Sequence, residues 1–158
     1  MSMERARAHL KRYGLEDRIR EFDVSSATVA LAAEALGCEP AHIAKTLSFE
    51  RGDGAVLVIA AGDARIDNAK FKAAFGMKAR MLSADRVEPL IGHAVGGVCP
   101  FGVNEGIPVY LDASLRQYDI VYPASGTSSS AVRLTPDELY RASEAAGWVD
   151  VCREKSSI

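Results

Sequence analysis

Cysteine is scarce in this sequence: Cys38, Cys99 and Cys152 are the only three, widely spaced and with no C-x-x-C pair. An odd number of isolated thiols builds neither a disulfide framework nor a zinc site and fits a reducing compartment. The three histidines lie far apart in the chain, so no histidine metal cluster is expected, and the metal and cofactor expectation is none. Charge of one sign is also lacking. A net charge of -2 excludes a protein that coats nucleic acid through bulk electrostatics, so any such contact must be local. No apolar run approaches the roughly 20 residues of a membrane span. The opening Met1-Ser2-Met3-Glu4-Arg5 is charged and lacks the apolar core of a signal peptide, so no membrane partner and a cytoplasmic location are expected. The common catalytic signatures are missing too: no P-loop, no G-x-G-x-x-G after a strand, no H-E-x-x-H and no G-x-S-x-G.

What is present is an ordinary globular composition, 48% hydrophobic and 25% charged over 158 residues, enough to bury about two-thirds of the unfolded surface in one core. Without repeats, low-complexity segments or linkers, residues 1–158 read as one α+β or mixed α/β domain. Met3, Ala6, Leu10 and Tyr13 recur at helical spacing ahead of Gly14 and predict a helix over 3–13 with a basic, solvated face of Arg5, Arg7, Lys11 and Arg12. A short strand is expected over Ile19–Asp23. Ser25 or Ser26 is then expected to cap a helix over Thr28–Leu36 that Gly37 ends. Ile43–Phe49 alternates as a strand, Arg51-Gly52-Asp53-Gly54 turns it, and Ala55–Ala61 reads as a strand buried on both faces. Asp67 caps a helix over Asn68–Phe75 stopped by Gly76. Around it Lys70, Lys72, Lys78 and Arg80 gather positive charge, read as a phosphate contact or as plain solvated surface. Strands are expected over Ala79–Leu82, Ile107–Leu111, Asp119–Tyr122 and Ala131–Leu134. Ser83 caps a helix over Ala84–Ile91, and Thr135-Pro136-Asp137-Glu138 opens a last helix, running to near Gly147, with a capping box.

Three places carry candidate chemistry. Gly92 to Gly102 holds four glycines and a proline, so it forms a shaped loop on a packed scaffold, fit to wall a small-substrate pocket. Lys45 shares the apolar face of its strand with Ile43, Leu47 and Phe49. A lysine there is either functional, paired or with a lowered pKa, or a strand-end lysine snorkelling to water. Cys99 and His93 form the one conceivable nucleophile and base pair, although a cysteine before a proline in an apolar loop is also simple packing. The Gly126-Thr127-Ser128-Ser129-Ser130 turn is a hairpin tip or a third wall of the pocket.

Together Lys45-Thr46, Ala60-Ala61-Gly62-Asp63 leading to Asp67, the G-x-x-x-P loop Gly96 to Pro100, and the Gly126–Leu134 turn and strand resemble the YbaK/ProX family of trans-editing aminoacyl-tRNA deacylases. That family is similar in turn to the editing domain of bacterial prolyl-tRNA synthetase. The resemblance spans roughly residues 25–147. It implies a mixed, barrel-like sheet flanked by helices and hydrolysis of the ester joining a wrong amino acid to a tRNA 3′ end. It also implies Lys45 as the residue tied most closely to activity, and an amino-acid pocket formed by Thr46, Gly96, Gly97, Val98, Cys99, Pro100 and Ser129. The partner is the acceptor end of a mischarged tRNA, with an aminoacyl-tRNA synthetase as a further one; the substrate is a small amino acid such as Ala, Ser, Thr or Cys, with tRNA-Pro as the family expectation. Such an ester is already activated, so a held carbonyl, a placed water and a stabilised oxyanion suffice, the last from the N–H groups of Gly96, Gly97 and Val98. Two rivals remain: a non-catalytic module of the same fold that binds an amino acid or aminoacylated end, and a thiol hydrolase using Cys99 and His93.

Overall fold

A computed structural model describes residues 2–23 and 28–153. The apolar run expected to be central is central. Strand β3 (Gly54–Ala61) is buried from Ala55 onward and lies in the middle of a five-stranded sheet ordered β5-β2-β3-β4-β7. Its antiparallel neighbour is β2 (Ile43–Arg51), paired from Ala44↔Ala61 to Arg51↔Gly54 through the expected turn. On the other side β4 (Val109–Asp112) runs parallel to it, followed by parallel β7 (Gly147–Val149). Strand β5 (Tyr122–Pro123) adds a parallel edge to β2. A second, two-stranded antiparallel sheet joins β1 (Ile19–Glu21) to β6 (Ser130–Val132). The architecture is therefore a mixed α/β fold around a curled five-stranded sheet.

Helices α1 (Ser2–Lys11), α2 (Val29–Leu36), α3 (Asn68–Phe75), α4 (Ala84–Ile91) and α5 (Pro136–Ala142) surround it. Phe49 of β2 meets Phe71 of α3, which meets Phe75, with ring centroids 4.7 Å apart in both pairs. Phe49 and Phe71, both buried, each contribute about 1.5–3 kcal/mol. Helix boundaries follow their capping chemistry. Asp67 accepts from the Lys70 N–H, and Gly76 ends α3 in the left-handed region. Thr135 and Glu138 form the reciprocal capping box of α5.

Several expectations need correction. The cap of α2 is Thr28, whose hydroxyl accepts from Leu31 N–H; Ser25 and Ser26 lie outside the described residues. Ala79–Leu82 is no strand: it touches β2 by one bridge, Phe49↔Met81, before Ser83 turns the chain into α4. Asp119, Ile120 and Val121 precede β5 rather than belonging to it, Val121 making only a bridge to Leu134. Helix α5 stops at Ala142 because Ser143 and Glu144 leave the helix, Glu144 with φ 54°. Gly147 then opens β7, a strand of three residues too short to show a period.

Candidate functional site

Two glycines decide how the loop after α4 is held. A Cβ on Gly97 would sit 2.7 Å from the Gly126 carbonyl carbon and 2.9 Å from the Thr127 nitrogen, distances no side chain tolerates. Gly126 in turn has φ 98°, and a Cβ there would sit 2.5 Å from the Ser2 carbonyl oxygen. Three backbones are thus stacked in contact: the start of α1, the 126–130 turn and the glycine loop. Arg5 of α1 fastens the arrangement, donating to the Gly92 carbonyl at 2.9 Å and to Asn104 Oδ1 at 3.0 Å. Asn104 then donates to the Pro89 and Leu90 carbonyls, both at 3.1 Å, satisfying the open end of α4. Part of the basic face of α1 is therefore a clamp.

The clamped loops face β2 and α2 across a cavity of about 370 Å³. Ala44, Thr46 and Ser48 of β2 line it, with Gly96 and Val98 of the glycine loop and Thr127, Ser128 and Ser130 of the turn. The turn is the cavity's third wall and is itself braced, Thr127 Oγ1 lying 2.8 Å from Ser130 Oγ. Met81 and Val95 stand at the rim, 54% and 63% exposed. None of the described lining residues is Asp, Glu or His. The buried Thr46 hydroxyl oxygen has no hydrogen-bond partner among the described residues.

Lys45 borders the same cavity, and its ammonium is turned to the C-terminal end of β3, where it donates to the carbonyl oxygens of Gly62 and Ala64. Burial lowers its pKa from the ordinary lysine value; Cys152 and Asp63 act against that shift and Arg65 with it. Of three ammonium hydrogens, two have carbonyl acceptors. Position 62 is glycine because this bend packs closely against α2: a Cβ there would lie 2.7 Å from Val29 Cγ1.

The remaining expected site residues are placed elsewhere. Gly97 is spent on packing, and its N–H is accepted by the Ala94 carbonyl at 2.9 Å. Pro100 lines a different concavity, beside Arg5 and His9. Ser129 is not on the cavity wall; its carbonyl accepts from the Phe22 N–H at 2.9 Å. Cys99 and His93 do come together, Sγ to Nε2 at 3.5 Å, but both are fully buried. Nε2 lies 2.6 Å from the Phe101 carbonyl, which only accepts, so Nε2 carries the proton and Nδ1 accepts from the Ser2 hydroxyl. The nitrogen nearest the thiol is thus a donor, not a base. Burial pushes the Cys99 thiol up to about 12 and the His93 pKa down. Among the described residues no three His, Cys, Asp or Glu side chains are grouped to hold a metal ion, and no helix is long and apolar enough to cross a membrane.

Sequence reasoning missed the clamp by Ser2 and Arg5 and the lining residue Ser48; within the 126–130 turn it singled out Ser129, whereas Thr127, Ser128 and Ser130 line the cavity. Ser48 had a usable signal, since period-two alternation puts it on one face with Ala44 and Thr46.

Known proteins are similar to this chain over most of its length. Residues 24–142 match the model of the aminoacyl-tRNA editing domain. The uncharacterized Bacillus subtilis (strain 168) protein YwhH is 48% identical over 155 residues, covering 98% of this chain and 99% of that one. Among solved structures, a candidate trans-editing enzyme for prolyl tRNA synthetase superposes with a TM-score of 0.87 at 34% identity, covering 97% and 98% of the two chains. A scaffold for computationally grafted linear epitopes superposes with a TM-score of 0.86 at 32% identity, covering 98% of each.

Proposed function

The chain belongs to the family of aminoacyl-tRNA editing domains, and on that premise we propose that it hydrolyses the ester between a small amino acid and the 3′ end of a mischarged tRNA. The observation that carries this reading is the cavity itself: small, walled by hydroxyls and a glycine loop, with Lys45 at its edge and, among the described residues, no carboxylate or imidazole lining it. That is what an already activated ester requires.

In this reading the amino acid occupies the space between Thr46, Ser48, Val98 and Ser130. The glycine loop supplies oxyanion donors through the N–H groups of Gly96 and Val98, because that of Gly97 is engaged by Ala94. Lys45, fixed by two carbonyls, directs its third hydrogen at the ester or ribose oxygens. With no carboxylate or imidazole among the described lining residues, water is activated by the substrate's own 2′-hydroxyl. A proline-specific tRNA and its synthetase are the partners that the similarity to the trans-editing structure favours.

The test is deacylation of tRNAs carrying Ala, Ser, Thr or Cys, comparing wild type with Lys45→Ala. Turnover of at least one ester that the variant loses supports the reading; folded wild-type protein that turns over none of them at low salt sinks it and leaves a binding module of the same fold.

A further inference from the structure

A second cavity, of about 430 Å³, opens where β3 ends, lined in part by Arg65, Ser114, Gln117 and Arg153. We infer that it is a phosphate subsite for a single nucleic-acid strand, with the guanidinium groups of Arg65 and Arg153 as its ligands. The two residues lie directly across a short antiparallel ladder: Ile66 bridges Cys152, and the Arg153 N–H donates to the Arg65 carbonyl at 2.8 Å. Side chains in that relation leave on one face with Cβ atoms about 5 Å apart, and like charges so placed repel. Both are exposed, and neither has a carboxylate partner among the described residues. The cavity's own acids are otherwise engaged. Asp112 accepts from the Ser114 and Val151 N–H groups at 2.9 and 2.8 Å, Asp150 takes Lys70 at 3.1 Å, and Asp63 acts on Lys45. An anion between the guanidiniums turns a destabilising pair into a bidentate site. The charge of Lys45, on which Arg65 also acts, adds to the attraction. This inference rests on the deacylase reading for the identity of the strand: a phosphodiester near the ester-bearing end, with the aminoacyl group lodged in the first cavity.

The experiment measures binding of a labelled single-stranded RNA ending in CCA to the full chain, by anisotropy between 50 and 200 mM salt. Two phosphate contacts contribute roughly 1.4 to the slope of log K against log salt. Arg65→Gln with Arg153→Gln is expected to remove about that much and to weaken low-salt binding about tenfold, with a melting temperature equal to or above wild type. Lys72→Gln with Lys78→Gln, both exposed and outside the cavity lining, is expected to change the slope little. An unchanged slope in the arginine variant, a loss confined to the lysine variant, or displacement of inorganic phosphate without RNA binding would each overturn the subsite. Wild-type protein that binds RNA with the arginine-dependent slope but hydrolyses no ester would overturn the deacylase reading alone.

Discussion

Lys45 and the Cys99–His93 pair pose the same problem in two places: a reactive side chain sunk among apolar neighbours. In the buried pair every polar atom is used up inside the protein, His93 between Ser2 and Phe101 and the thiol beside the same carbonyl. At Lys45 the partners are backbone carbonyls that occupy only part of the donor set and leave it at a cavity edge. Closeness of a nucleophile to a base therefore does not make a site. A site also needs a donor or acceptor left open toward a space that a substrate can enter, the role proposed above for Lys45.

The sharpest way to test this contrast is Lys45→Ala, expected to lower deacylation by about 100-fold or more, the size of one lost electrostatic contact to the transition state. Its companion is stability. Burial has lowered the Lys45 pKa, so its charge penalises the folded state below the folded pKa, and the penalty lifts as pH rises toward 10.5. Lys45→Met is therefore expected to show a urea midpoint at pH 7 no lower than wild type, with the difference closing at alkaline pH. A large drop at pH 7 would make Lys45 a structural residue like its buried counterpart.

Next in size is Gly97→Ala, which forces the loop off the 126–127 backbone; about 1–3 kcal/mol of destabilisation is expected in urea unfolding. His93 is held neutral, its pKa lowered by burial. The stability it contributes is present above pH 6.5 and lost as pH falls through its folded pKa. Unfolding midpoints of wild type are expected to fall more steeply below pH 6.5 than those of His93→Leu. The smallest effect belongs to Cys99→Ala: about 1 kcal/mol for the small void and no change in kcat. A lost kcat in folded Cys99→Ala would collapse the distinction and revive the thiol mechanism.

Legibility in the sequence followed locality. The turn at Arg51–Gly54, the caps at Asp67 and Thr135 and the buried run Ala55–Ala61 rest on neighbours within a few residues, and each is where expected. That Thr46 of β2 and Gly96 and Val98 of the glycine loop line one cavity was legible for the same reason. What was hidden depends on distant partners. Gly97 reads as a loop donor until Gly126 is seen pressed against it, and Pro100 and Ser129 point away because of how Arg5 and Phe22 hold their segments. Strand β7 exists only because β4 offers it a ladder.

The clamp on the two loops also sets an order of events. Ser2, Met3 and Arg5 leave the ribosome well before their partners, since Ser2 meets His93 across 91 residues and Ser125 meets Met3 across 122. Contacts of that span form late, since their loop entropy is lost before anything is gained. During synthesis the β2–β3 hairpin can therefore collapse while the cavity still lacks two of its walls, and α1 waits unpaired until the 125–130 turn emerges. The cavity is assembled last, and a nascent chain carries its lysine long before it carries a pocket.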